Sequence, residues 1–199
     1  MGISKVALRR RSITGARENL NEYLDSIDTT DVKKEYLMKA LANTPCDFPV
    51  LKSASIFSCM TGLRISDVLK LDWKEILPAS DGGYCMRLRT EKTETEKTLP
   101  ISDEALELCG ERGKGKVFKG LAKAMTQQPL KDWVASAGIT KYITFHCFHH
   151  TFATLQVAFG TDIYTVSKML THKNGSITQI YADLVNAKKR ESANKISLK

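Results

Sequence analysis

The sequence predicts a mainly α protein with a small antiparallel β-sheet. Three observations predict it. Apolar residues recur three and four apart over most of the chain, the period of a helix face. The stretch 71–101 switches to short alternating segments separated by turn-forming residues. Glycine or proline stands where several helical patterns break, at Pro45, Gly62, Gly110, Gly138 and Gly160. A chain of 199 residues with 42% hydrophobic content can bury a substantial core.

Residues 1–11 form a basic tail carrying Lys5, Arg9, Arg10 and Arg11. Residues 12–27 read as a helix with Leu20, Tyr23, Leu24 and Ile27 on one stripe, and 26–31 as a polar linker. A second helix is expected over 33–43, stopped by Thr44-Pro45 because proline disfavours helix in the residue before it. Residues 48–60 are apolar at helical spacing and predict a buried helix. Thr61-Gly62 ends it and starts the next, whose apolar positions are Ile65, Val68 and Leu69, so Arg64 is expected in a first turn.

The segments 85–89 and 97–101 alternate as strands, with turns at 80–83 and 93–96. Ser102 is expected to cap a helix running to about Cys109, before a glycine- and lysine-rich loop over 110–120. Residues 121–137 read as largely helical, ended by Gly138. Phe148, Phe152, Leu155 and Phe159 mark one helix face, Gly160 its end, and Ile163, Val166 and Leu170 the next helix. Beyond the turn at 173–175, a helix from about Ser176 carries Ile177, Ile180, Tyr181 and Leu184 on one side. A polar, lysine-rich tail follows Asn186. The division expected is 1–35 as basic tail, helix and linker, and 36–199 as the main domain with its tail.

Thirty Lys+Arg against 22 Asp+Glu leave a net charge of +8 and a pI near 9.2, which favours an anionic partner such as nucleic acid. The five cysteines are odd in number and contain no Cys-x-x-Cys pair, so neither a disulfide framework nor a zinc ribbon is supported. A reducing compartment fits, with the bacterial cytoplasm as the default. No apolar run approaches the ~18 residues of a membrane span, and no hydrophobic signal region opens the chain.

Six polar residues are the candidate site: Arg64, Lys92, His146, His149, His172 and Tyr181. They fit the needs of phosphodiester cleavage. Charge builds on non-bridging oxygens during phosphoryl transfer and calls for fixed cationic donors. Arginine matches two phosphate oxygens with its fork. A leaving alkoxide needs a general acid, and a tyrosine nucleophile needs help losing a proton, since only about one in a thousand is ionised at pH 7. Each residue has a plainer reading beside this one. Arg64 could pair with Asp67; Lys92 could be a solvated hairpin residue, with Lys97 competing for its role. His172 could cap a helix C-terminus. Tyr181 could be a core tyrosine, and Tyr164 and Tyr142 are weaker candidates. His150 reads as packing a helix start.

Order and context tip the balance. Thr61-Gly62-Leu63-Arg64, then His146-Cys147-Phe148-His149-His150, then Leu170-Thr171-His172, then Tyr181 nine residues later resemble the catalytic domain of the tyrosine recombinase (integrase) family. The integrases of bacterial mobile elements are the nearest in kind, and the resemblance covers roughly residues 36–190. It implies a helical fold with a small three-stranded sheet. It also implies recombination of double-stranded DNA at attachment sites through a 3′-phosphotyrosine on Tyr181, without a metal or cofactor. Lys92 would protonate the leaving 5′ oxygen, His146 would accept the tyrosine proton or donate to phosphate, and Arg64 and His172 would bind phosphate oxygens.

The family writes its middle motif His-x-x-Arg-His, and here His149 stands at the arginine. A histidine offers one hydrogen bond and part-time charge, so DNA binding with cleavage slowed or absent is expected. Such enzymes work as homotetramers on DNA, with the C-terminal tail docked on a neighbour. They also carry an N-terminal core-binding domain for which 35 residues are too few, so a monomeric catalytic fragment is expected. Two other classes are a non-catalytic DNA-binding module of the same fold and a zinc hydrolase built on His146, His149 and His150, the latter disfavoured because no acidic residue adjoins them.

Overall fold

The computed structural model describes residues 30–80, 82–89 and 96–170. Seven α-helices and a three-stranded sheet are found among them, as the mainly α class with a small antiparallel sheet requires. The predicted helix over 12–27, the hairpin tip at 90–95, the helix from Ser176 and the tail lie outside the described residues. So does most of the N-terminal segment 1–35.

Helix α1 spans Thr30–Asn43, starting three residues ahead of the expected position. It stops where Thr44-Pro45 was expected to stop it, and the exposed end is well satisfied. The Thr44 carbonyl accepts from Lys52 Nζ at 3.0 Å and Trp133 Nε1 at 3.2 Å. Helix α2, Pro49–Thr61, has proline in its first turn, where no intrahelical N–H is needed. Its Leu51, Ala54 and Phe57 are fully buried. Helix α3 is a single turn, Ile65–Val68.

After a 3₁₀ turn at Trp73–Glu75 come β1 (Ile76–Pro78), β2 (Tyr84–Arg89) and β3 (Glu96–Ile101), antiparallel in the order β1-β2-β3. Met86 faces Leu99 in the register, and Met86, Leu88, Leu99 and Ile101 bury one face while Arg87, Thr98 and Pro100 stay exposed. Period-two alternation is what made β2 and β3 visible in the sequence. β1 is three residues long and ends in proline, too short to show a period. Glu96, expected in the turn, begins β3 opposite Arg89.

Helix α4, Asp103–Glu107, is capped as expected by Ser102 Oγ, which accepts from the Ala105 N–H at 3.2 Å, but ends two residues early. The expected helix over 121–137 is split into a 3₁₀ turn at Lys123–Thr126 and α5 at Gln128–Ser136. Pro129 explains the split: without an N–H it belongs in a first turn, so α5 must begin there. Helix α6 spans Phe145–Ala158 and α7 Ile163–Met169, with Asp162 Oδ1 capping α7 through the Thr165 N–H at 2.9 Å. α2 and α6 pack at the centre, α1 covers α6, and Phe152, Ala153, Val157, Val166 and Leu170 bind α6 to α7. No described helix is long and apolar enough to cross a membrane.

Candidate active site

The site is organised by the end of α2. Gly62 adopts φ +71°, and its N–H reaches the Ser58 carbonyl at 2.9 Å. A Cβ there would sit 2.6 Å from Phe152 Cδ1 and 2.8 Å from Leu170 Cδ2, so α6 and the end of α7 press directly on this backbone. Glycine is needed twice over, for the left-handed conformation and for the close approach. The turn is fastened by short bonds: Ser58 Oγ donates to the Leu63 carbonyl at 2.7 Å, and Thr61 Oγ1 donates to the Phe57 carbonyl at 2.8 Å.

Arg64 follows, half-buried and extended, as the N-cap of α3 rather than in its first turn. A four-residue helix has little macrodipole, so any anion affinity at this position rests on the guanidinium.

Opposite lies α6, which begins at Phe145, three residues ahead of Phe148, the first position of the expected apolar face. Thr144 caps it, its N–H reaching Cys147 Sγ at 3.4 Å. A cysteine where a capping box has Glu or Gln hid this start from the sequence. His146 therefore sits inside the first turn of α6, exposed, although it precedes the apolar face that starts at Phe148. The spacing of three and four stacks the imidazoles on one side. His146 and His149 are nearly parallel, centroids 5.3 Å apart at 16°, and His146 meets His150 edge-on at 4.3 Å.

His149 is 2% exposed, and its Nδ1 lies 2.6 Å from the Gly62 carbonyl oxygen. A carbonyl cannot donate, so Nδ1 carries the hydrogen and Nε2 is left with a lone pair. Burial pushes the His149 pKa down to about 3, against the opposing pull of the Gly62 bond; Arg64, His146 and His150 depress it further. The ring is neutral at physiological pH, a stronger departure from arginine than the part-time charge expected from sequence.

The structure thus brings Arg64 and His146 each close to His149, which is itself bonded to Gly62. Lys92, His172 and Tyr181 lie outside the described residues, although Leu170, packed on Gly62, precedes His172 by two positions. His150 is half-buried, and its carbonyl accepts from Lys34 Nζ at 3.3 Å. Lys34 was not singled out from sequence, since one lysine in a charged stretch carries no mark of partial burial. Tyr142 and Tyr164 are 74% and 67% exposed, each beside a lysine, Lys131 and Lys168. Among the described residues no group of three or more His, Cys, Asp or Glu is arranged to hold a metal ion.

Residues 28–188 match the phage integrase family, and the chain belongs to it. Tyrosine recombinase XerD of Lacticaseibacillus casei is 30% identical over 155 residues, 68% of this chain and 52% of that protein. The chain spans about half the length of the relatives it matches. Among solved structures, the catalytic domain of bacteriophage HP1 integrase superposes with a TM-score of 0.61 at 22% identity, covering 83% of this chain and 92% of that one. The XerH site-specific recombinase bound to palindromic difH substrate, a post-cleavage complex, gives 0.62 at 17% identity, with 85% and 52% covered. At these identities the structures establish a shared fold, that of tyrosine recombinase catalytic domains.

Proposed function

We propose that this chain is the catalytic part of a site-specific DNA recombinase whose strand cleavage is attenuated at His149. Tyr181 Oη attacks the scissile phosphorus and becomes the 3′-phosphotyrosine, while His146 takes the phenol proton. The P–O5′ bond breaks, and Lys92 protonates the departing oxygen to leave a free 5′ hydroxyl. Arg64 and His172 hold the non-bridging oxygens. Phosphodiester energy stays in the phosphotyrosine, so rejoining to a partner strand requires no ATP. Recombination would run in a homotetramer on paired double-stranded attachment sites, the chain being monomeric without DNA.

The observation that carries this reading is the bond between His149 and Gly62 in a chain of the phage integrase family. It ties the loop holding Arg64 to the helix holding His146, the pairing that phosphate binding needs. Burial, acting against that bond, keeps His149 neutral, with an acceptor at Nε2 where a permanent donor would serve a phosphate better. Loss of one preorganised donor typically slows such chemistry about 10²- to 10³-fold.

A nicked suicide duplex containing the element's attachment site tests the reading on a denaturing gel. A slow covalent protein–DNA band that vanishes in Tyr181→Phe is expected. DNA binding without any covalent band, even after prolonged incubation and with a variant restoring arginine at 149, would favour the second reading, a non-catalytic DNA-binding module. The neutral His149 is the feature that favours that alternative.

A further inference from the structure

A second site lies where α1 covers α6, beside His150. Lys34 of α1 points its ammonium between the helices, where Nζ donates to Thr154 Oγ1 at 2.6 Å and to the His150 carbonyl at 3.3 Å. An ammonium has three donors, and these two acceptors are neutral. Among the described residues no carboxylate pairs with Lys34. Burial holds its pKa below the ordinary lysine value, the Cys147 and Cys59 thiols opposing that effect.

A partly buried charge without a counter-charge is costly, and its surroundings favour an anion. Beside Lys34 opens a cavity of about 250 Å³ whose walls are mainly Leu37, Met38, Leu41, Ile143 and Phe148. An apolar cavity of about 150 Å³ already accepts benzene. Lys34 and a mainly apolar wall, which His150, Thr151 and the Cys59 and Cys147 thiols complete, define a complementary ligand: an anionic head of one charge on a small apolar body.

We infer that this cavity is a binding site for a small apolar monocarboxylate, its carboxylate on Lys34 Nζ and its body against Leu37, Leu41 and Phe148. Neither phosphate binding at Arg64 nor cleavage by Tyr181 enters into it, so the site stands or falls separately from the recombinase reading. Its occupant would bridge α1 and α6 one turn from His146 and His149.

Calorimetric titration of the full chain with benzoate, benzyl alcohol and acetate tests the inference, each ligand probing one half of the complementarity. Benzoate should bind at least about tenfold more tightly than either of the others, a preference of ~1.4 kcal/mol. Lys34→Met should erase the preference of benzoate over benzyl alcohol, Lys34→Arg should keep it, and Leu41→Trp, which fills the cavity, should abolish binding. Equal affinity of the unaltered chain for benzoate and benzyl alcohol would overturn the inference without recourse to any variant. Undiminished benzoate binding by folded Lys34→Met or Leu41→Trp would also overturn it.

Discussion

His149 donates from Nδ1 to the carbonyl oxygen of Gly62 across 2.6 Å, joining positions 87 apart in the chain. The bond and the burial of the ring have separate consequences. The bond secures the turn that presents Arg64, while burial, against the bond's own upward pull, keeps His149 a neutral group.

The stabilising half can be measured by deleting the ring. His149→Ala leaves the Gly62 carbonyl without this donor and opens a void, and should cost about 2–4 kcal/mol in urea unfolding. His149→Asn places an amide N–H near the position of Nδ1 and should recover a good part of that loss. Equal destabilisation by the two would show that ring packing, and not the bond, holds the turn.

The pH dependence follows from the depressed pKa. Unfolded, His149 titrates near its ordinary value of 6.5; folded, near 3. The unfolded state therefore binds more protons between these values, and stability falls as pH falls. The contribution is fully present above about pH 6.5 and is progressively lost towards pH 3, at most about 5 kcal/mol in all. Thermal unfolding from pH 8 to pH 4 should show a steeper acid loss in the unaltered chain than in His149→Asn, and parallel curves would contradict the assignment.

Gly62→Ala should be damaging beyond its size. A left-handed backbone costs an alanine roughly 1–2 kcal/mol, and the new methyl would meet Phe152 and Leu170. A total of about 2–4 kcal/mol is expected in denaturant unfolding. A loss below about 0.5 kcal/mol, the ordinary effect of a surface change, would mean that the turn relaxes freely.

Arg64→Ala should separate chemistry from stability. The side chain is half-buried at the cap of a one-turn helix, so unfolding should shift by about 1 kcal/mol or less. The rate of covalent complex formation should nevertheless fall about 10²-fold or more. A cleavage rate within threefold of the unaltered chain would remove Arg64 from the site.

Much of this arrangement could be read in the sequence because the signals are local. Gly62 ending α2, Ser102 capping α4 and the alternation of β2 and β3 each depend on residues within a few positions. What escaped was either too short for a period, as with β1, or used an unusual partner, as with Thr144 and the Cys147 thiol at the start of α6. The His149 protonation state could not be read locally at all. It depends on burial beneath α2 and on a carbonyl 87 residues away, which only the packed fold brings together. Lys34 is the same case, an unremarkable lysine until α1 lies on α6.

The most direct test of the central claim compares the unaltered chain with His149→Arg on the nicked suicide duplex, with Tyr181→Phe in both backgrounds. If the neutral imidazole limits cleavage, His149→Arg should accelerate covalent complex formation by about 10²-fold or more, and Tyr181→Phe should abolish it in both. A His149→Arg variant that folds, binds the duplex and cleaves no faster than the unaltered chain would contradict the claim.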